Sequence, residues 1–148
     1  MAIRFGDQFA VDKKSRDAVY DFLTDPNRFA PLLPDYQSHI VNADGSVSVM
    51  VNVGVSYIRG IADVKLRLAD SERPHRARYQ GVGSMSGGSV NLLAGFDLVE
   101  VGAGTQVAWQ GEAQVFGRLT SLAGGMLEPL ARKQVTRLID GLQKALNA

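Results

Sequence analysis

The chain has 148 residues, the size of one domain at about 150 residues per domain. Sixteen Lys and Arg against 15 Asp and Glu leave a formal charge of +1, without the basic excess of a general nucleic-acid binder. The absence of cysteine excludes a disulfide framework, thiol catalysis and any cysteine-held metal or iron–sulfur centre, and the two histidines, His39 and His75, lack metal-ligand spacing.

In chain order, residues 3–11 read as a strand. Residues 13–24 read as a helix, with Asp12 as the expected N-cap. Asp25-Pro26 opens a second short helix, a cap followed by proline at the first helical position, and Pro31 and Pro34 stop it. The chain then alternates polar and apolar residues between turn signals at Asp44-Gly45, 70–74, Gly87-Gly88 and 102–104. Six strands are expected there, near 36–43, 46–54, 56–69, 75–85, 89–100 and 105–116. The last 30 residues read as one long amphipathic helix. Its stripe includes Leu119, Leu122, Met126, Leu127, Leu130, Val135, Leu138, Ile139, Leu142 and Leu146, with a kink at Pro129. The economical way to bury that stripe is a sheet curved around the helix, an α+β arrangement of about seven strands with two short helices after the first. Residues 1–7 hold no apolar signal core, and no apolar run approaches the roughly 20 residues of a membrane span. The expectation is a soluble, cytoplasmic protein.

Alternation assigns strand faces. The inward set includes Gly60, Ala62 and Val64, then Tyr79, Gly81 and Gly83, then Leu92, Ala94 and Phe96, then Trp109, Gly111 and Ala113. With the shortest turns, one row across the sheet is expected to read Val64, Tyr79, Phe96, Trp109. The next would read Ala62, Gly81, Ala94, Gly111, and the third Gly60, Gly83, Leu92, Ala113. Two rows of small side chains thus lie beside a row of aromatics. Either the glycines curve the sheet, or they open an internal cavity, and the two readings are compatible. The cavity reading takes Gly60, Ala62, Tyr79, Gly81, Gly83, Leu92, Ala94, Phe96, Trp109, Gly111, Met126, Leu127 and Leu130 as its wall. Such a wall suits an apolar or aromatic molecule.

Catalytic signatures are sparse. Carboxylates fall on turns and outward positions, and Glu128 is the one expected to reach the helix–sheet interface. No carboxylate pair, nucleophile elbow, phosphate loop or metal cluster is present in the pattern. An enzyme reading would need Tyr36, Tyr57, Tyr79 or His39 as acid or base inside the cavity. On the outer face, the same register sets Lys65 opposite Arg78 and Arg67 opposite Arg76. Like charges placed so are either a solvated face or a docking patch for an acidic protein or anionic lipid.

Several stretches resemble one family. They are 53–55 (Val-Gly-Val), 61–66, Tyr79-Gln80-Gly81-Val82-Gly83, Gly104-Thr105, 115–119 and Met126-Leu127-Glu128-Pro129-Leu130-Ala131. Over nearly its whole length the chain resembles the helix-grip fold of the START-like (SRPBCC) superfamily and, within it, the carbon monoxide dehydrogenase G-subunit family. The resemblance implies a single START-like domain over 1–148. It also implies an accessory role beside a molybdenum-containing CO dehydrogenase or related hydroxylase, without a redox centre or cofactor of its own. Such proteins are linked to bringing the enzyme to the inner face of the membrane, where electrons pass to quinone. The inferred cavity would then hold a quinone- or lipid-like molecule. Two departures stand out: Pro34-Asp35-Tyr36 replaces the common Pro-Gly, and the chain ends at Asn147-Ala148 without an apolar tail.

Overall fold

A computed structural model of the chain describes all residues except Met1, Ser56, Tyr57, Leu119 and 121–123. Leu119 and Leu122 of the expected helical stripe, and Tyr57, therefore lie outside the described residues. The elements are β1 (Ala2–Val11), α1 (Arg16–Leu23), α2 (Pro26–Phe29) running into a 3-10 turn (Ala30–Leu32), β2 (Tyr36–Val41), β3 (Val47–Val55), β4 (Ile58–Glu72), β5 (Arg76–Met85), β6 (Gly88–Val101) and β7 (Gly104–Gly117). A second 3-10 turn (Gly124–Met126) leads into α3 (Leu127–Leu146).

The seven strands form one antiparallel sheet in the order β1-β7-β6-β5-β4-β3-β2. The first and last strands of that order are consecutive in the chain, so α1 and α2 carry the backbone from one sheet edge to the other. The long helix α3 lies against the inner face.

Helix starts follow local chemistry. Ser15, not Asp12, caps α1, its hydroxyl accepting from the Ala18 amide. Asp25 caps α2 as expected, accepting from the Asn27 amide, with Pro26 in the first turn. The final helix is shorter than its apolar stripe suggests. It begins at Leu127, which puts Pro129 in the first turn, where an amide has no helical partner to lose, so no kink is needed.

The register departs from expectation in two of three hairpins. The β6–β7 pairing is the expected one, with Phe96 opposite Trp109, Ala94 opposite Gly111 and Leu92 opposite Ala113 across a Gly102-Ala103 turn. The β5–β6 turn falls at Ser86-Gly87 rather than Gly87-Gly88, with Gly87 at φ +94°. Tyr79 therefore faces Ala94, Gly81 faces Leu92 and Gly83 faces Val90. β4 runs on to Glu72, with a bulge between Leu68 and Asp70, so Gly81 faces Leu66 and Gly83 faces Val64. This register places Asp70 opposite Arg78 and Glu72 opposite Arg76, opposite charges where the shortest-turn register had like ones. Up to the bulge both shifts are even, so the side chains of the expected rows keep their faces; beyond it the one-residue slip turns Asp70 and Glu72 to the face of Arg78 and Arg76.

The core falls into two clusters. The larger gathers Phe9, Val11, Val19, Tyr20, Leu98, Val107 and Leu146 around the C-terminal end of α3. The smaller gathers Ala30, Val47 and Val49, with Phe29, Leu33 and Leu66 packed on them.

Candidate functional site: a cavity between helix and sheet

A cavity of about 220 Å³ separates the two clusters. Phe9, Leu23, Phe96 and Val107 of the larger cluster wall it on one side, and Phe29, Leu33 and Leu66 of the smaller on the other. The sheet supplies Phe5, Tyr79, Ala94, Trp109 and Gly111, and α3 covers it with Val135, Leu138, Ile139 and Leu142. No Asp, Glu, His, Lys or Arg lines it among the described residues.

Five of the thirteen expected wall residues stand here: Tyr79, Ala94, Phe96, Trp109 and Gly111. The other eight do not line this space. The observed register explains the sheet glycines. A Cβ on Gly81 would fall 2.6 Å from Leu66 Cδ2, and one on Gly83 would fall 2.8 Å from Val90 Cγ1. Neighbouring side chains fold over these glycines and fill the room they leave. Gly60, Ala62 and Leu92 belong to the same end of the sheet. On α3 the covering residues lie two turns further along than expected. Met126 is 60% exposed, and Leu127 and Leu130 stay outside the wall. Glu128 is exposed and binds Arg132 at 2.8 Å, so it does not reach the interface.

Sequence reasoning missed the contributions of β1, of α2 and of the 3-10 turn after it, namely Phe5, Phe9, Phe29 and Leu33. Phe5 and Phe9 alternate inward on a strand whose place beside β7 no local signal announces. Phe29 follows the well-marked Asp25-Pro26 start, a signal for a helix but not for what the helix covers.

The polar groups at the wall are few. Tyr79 donates its hydroxyl to the Leu23 carbonyl at 3.1 Å and sets its ring edge-on to Phe29 at 5.7 Å. Burial raises its pKa above the ordinary phenol value, so it stays protonated at neutral pH. Trp109 contributes an indole whose Nε1 is buried and meets no acceptor among the described residues. The other candidate acid–base groups lie elsewhere. Tyr36 and Asn27 hold the two ring nitrogens of His39, at 2.6 and 2.9 Å, beside the β2 edge and away from this wall.

A second space of about 380 Å³ runs between β1 and α3. It shares Phe5, Phe9, Trp109, Val135 and Ile139 with the cavity, so the same side chains face both spaces. Its outer rim is polar, with Asp7, Gln8, Arg132, Asp140 and Gln143. The Arg132 guanidinium sits 5.3 Å from the centre of the Phe5 ring.

On the outer face, three of the four basic residues are engaged. Arg67 donates to the Gln80 amide oxygen, Arg76 pairs with Glu72 at 3.2 Å and Arg78 pairs with Asp97 at 3.1 Å. Arg78 also lies flat over Gly95 and donates to the Phe96 carbonyl at 2.9 Å. Lys65 is exposed. No described helix is long and apolar enough to cross a membrane.

Known structures share this architecture. A conserved protein from Geobacillus kaustophilus superposes with TM-score 0.83 at 19% identity, over 97% of this chain and 95% of that one. A START superfamily protein from Mycobacterium smegmatis gives 0.69 at 12% identity, over 97% and 96%. The di-domain ARO/CYC StfQ of the steffimycin pathway gives 0.72 at 8% identity, over 99% of this chain and 50% of that one. These likenesses establish the START-like helix-grip fold. No curated protein sequence matches the chain. The model of the carbon monoxide dehydrogenase G-subunit (CoxG) family matches residues 8–147, and the chain belongs to that family.

Proposed function

We propose that this START-like domain is a non-catalytic accessory protein of a molybdenum-type CO dehydrogenase or related hydroxylase, and that it carries an apolar, quinone- or lipid-like molecule between helix and sheet. The observation that carries the reading is the cavity, walled almost wholly by carbon and set between two core clusters. Native interiors close such gaps unless something occupies them or the fold needs the space. At about 220 Å³ it is smaller than the roughly 300–1,000 Å³ of common ligand pockets. It suits a ring or the end of a chain, and the groove between β1 and α3 offers the path for a tail. Family membership supports the partner class, since the family takes its name from a subunit of CO dehydrogenase. Membrane recruitment belongs to the same proposal: a carrier of a lipophilic molecule must meet the membrane where that molecule dissolves, from the cytoplasmic side.

The test is titration of the purified protein with decylubiquinone, followed by Trp109 fluorescence; this is the single tryptophan of the chain. Saturable quenching is expected. A linear, unsaturable response overturns the carrier reading.

A cavity-enzyme reading draws on the ARO/CYC neighbours. Of its four candidate groups, Tyr79 lines the described cavity, and its hydroxyl is committed to Leu23 and hard to ionise. A docking reading through Lys65, Arg67, Arg76 and Arg78 has to contend with the partners three of them already hold. Reversing all four charges tests it through co-purification with an acidic partner.

A further inference from the structure

We propose that the indole N–H of Trp109 is a hydrogen-bond donor to the carried molecule, so that the site selects an apolar body bearing an acceptor oxygen over the bare hydrocarbon. This rests on the carrier reading above and adds a chemical criterion to it.

Trp109 Nε1 is shut off from solvent and has no protein acceptor among the described residues. Leaving a buried donor unpaired is unfavourable, and phenylalanine would supply an aromatic wall without that cost. The neighbours do not relieve it. On β6 the residue opposite is Phe96. On β1 it is Asp7, which is exposed and whose carboxylate accepts from the Gln8 amide. The contrast with Tyr79 is instructive, because that hydroxyl, on the same cavity wall, is satisfied by Leu23. An indole nitrogen donates and never accepts, so the missing partner is an acceptor. Its place is also informative. Trp109 belongs to both the cavity and the groove between β1 and α3. An acceptor there would sit where a ring-sized head meets the passage for its tail.

The probes are 1,4-naphthoquinone and naphthalene, one bicyclic skeleton with and without carbonyl oxygens. The chain has no cysteine to add to the quinone. The parent protein is expected to bind the quinone about five- to tenfold more tightly than the hydrocarbon, the worth of one buried hydrogen bond. Trp109→Phe should lose that preference while its naphthalene affinity stays within about twofold. In the parent, the one indole ¹H–¹⁵N resonance should move downfield with the quinone and not with naphthalene. This readout stands even where the variant folds poorly. Equal affinities for both probes, or a preference that survives in Trp109→Phe, overturn the donor role and leave the carrier reading intact. Binding of neither probe by the parent overturns both.

Discussion

The C-terminal end and the middle of α3 are built differently. At its C-terminal end everything is closed. Leu146 and Val19 are fully buried, and Val11 and Val107 nearly so. Polar contacts lock the surroundings. Lys14 Nζ donates to the Leu146 carbonyl at 2.6 Å, answering the helix's negative end. Asn147 accepts from the Asp12 amide and donates to the Ala10 carbonyl. Gly104 lies so close to Val11 that a Cβ would collide with the carbonyl oxygen there. Further toward the N-terminus, α3 stands off the sheet. Val135, Leu138, Ile139 and Leu142 are only half-buried and look into the cavity. One end anchors the helix, and the middle holds it over a space. Stability and binding should therefore be separable by position.

The strongest way to break that division is to damage the anchor. Leu146→Ala removes a fully buried side chain and should cost about 2–5 kcal/mol in urea unfolding. A loss below about 1 kcal/mol would mean that the anchored end does not dominate stability. The complementary change fills the space. Ala94→Leu adds a branched side chain to the cavity wall, should hold stability within about 1 kcal/mol of the parent, and should weaken decylubiquinone binding at least about tenfold.

A smaller effect is expected where the 3-10 turn meets β2. Asp35 has φ +59°, a conformation glycine adopts freely, and its carboxylate pairs with Arg137 of α3 at 3.1 Å. Asp35→Gly loses a half-exposed ion pair worth about 0–1 kcal/mol and relieves a backbone cost of similar size. Its stability should fall within about 0.5 kcal/mol of the parent, while Asp35→Ala, which loses the pair and keeps the strain, should be lower by about 1 kcal/mol. Chemical denaturation of the two variants side by side decides it. The smallest effect is in acid. The Ser46 hydroxyl and amide hold the Asp44 carboxyl below the ordinary Asp value. A carboxyl lowered in the folded state adds stability that is complete above its unfolded pKa, about 3.9, and fades as pH falls through the folded value. Stability plotted against pH should therefore drop less steeply below about pH 4 in Asp44→Asn than in the parent.

Much of the fold was legible in the sequence, because period-two alternation and turn residues mark strands one at a time. The site was legible where a single turn fixed the pairing. Gly102-Ala103 sets Phe96 against Trp109 and Ala94 against Gly111, and these four do line the cavity. Gly81 and Gly83 misled because their partners depend on where β4 ends. The bulge near Leu68 and the charge pairs at Asp70 and Glu72 carry that strand past its apparent turn. The helix misled for a related reason. Its stripe is continuous, and periodicity alone does not say which turns lie over the cavity. Only the start at Leu127 and the anchor at Leu146 place residues 135–142 there.

The central claim is that the middle of the grip holds an apolar molecule. Native mass spectrometry of the protein as purified, beside Ala94→Leu and followed by organic extraction, tests it most directly. The account predicts a co-purifying quinone- or lipid-like adduct on the parent that is lost from the variant. A clean apoprotein mass for both, with no saturable uptake of added decylubiquinone, would contradict it.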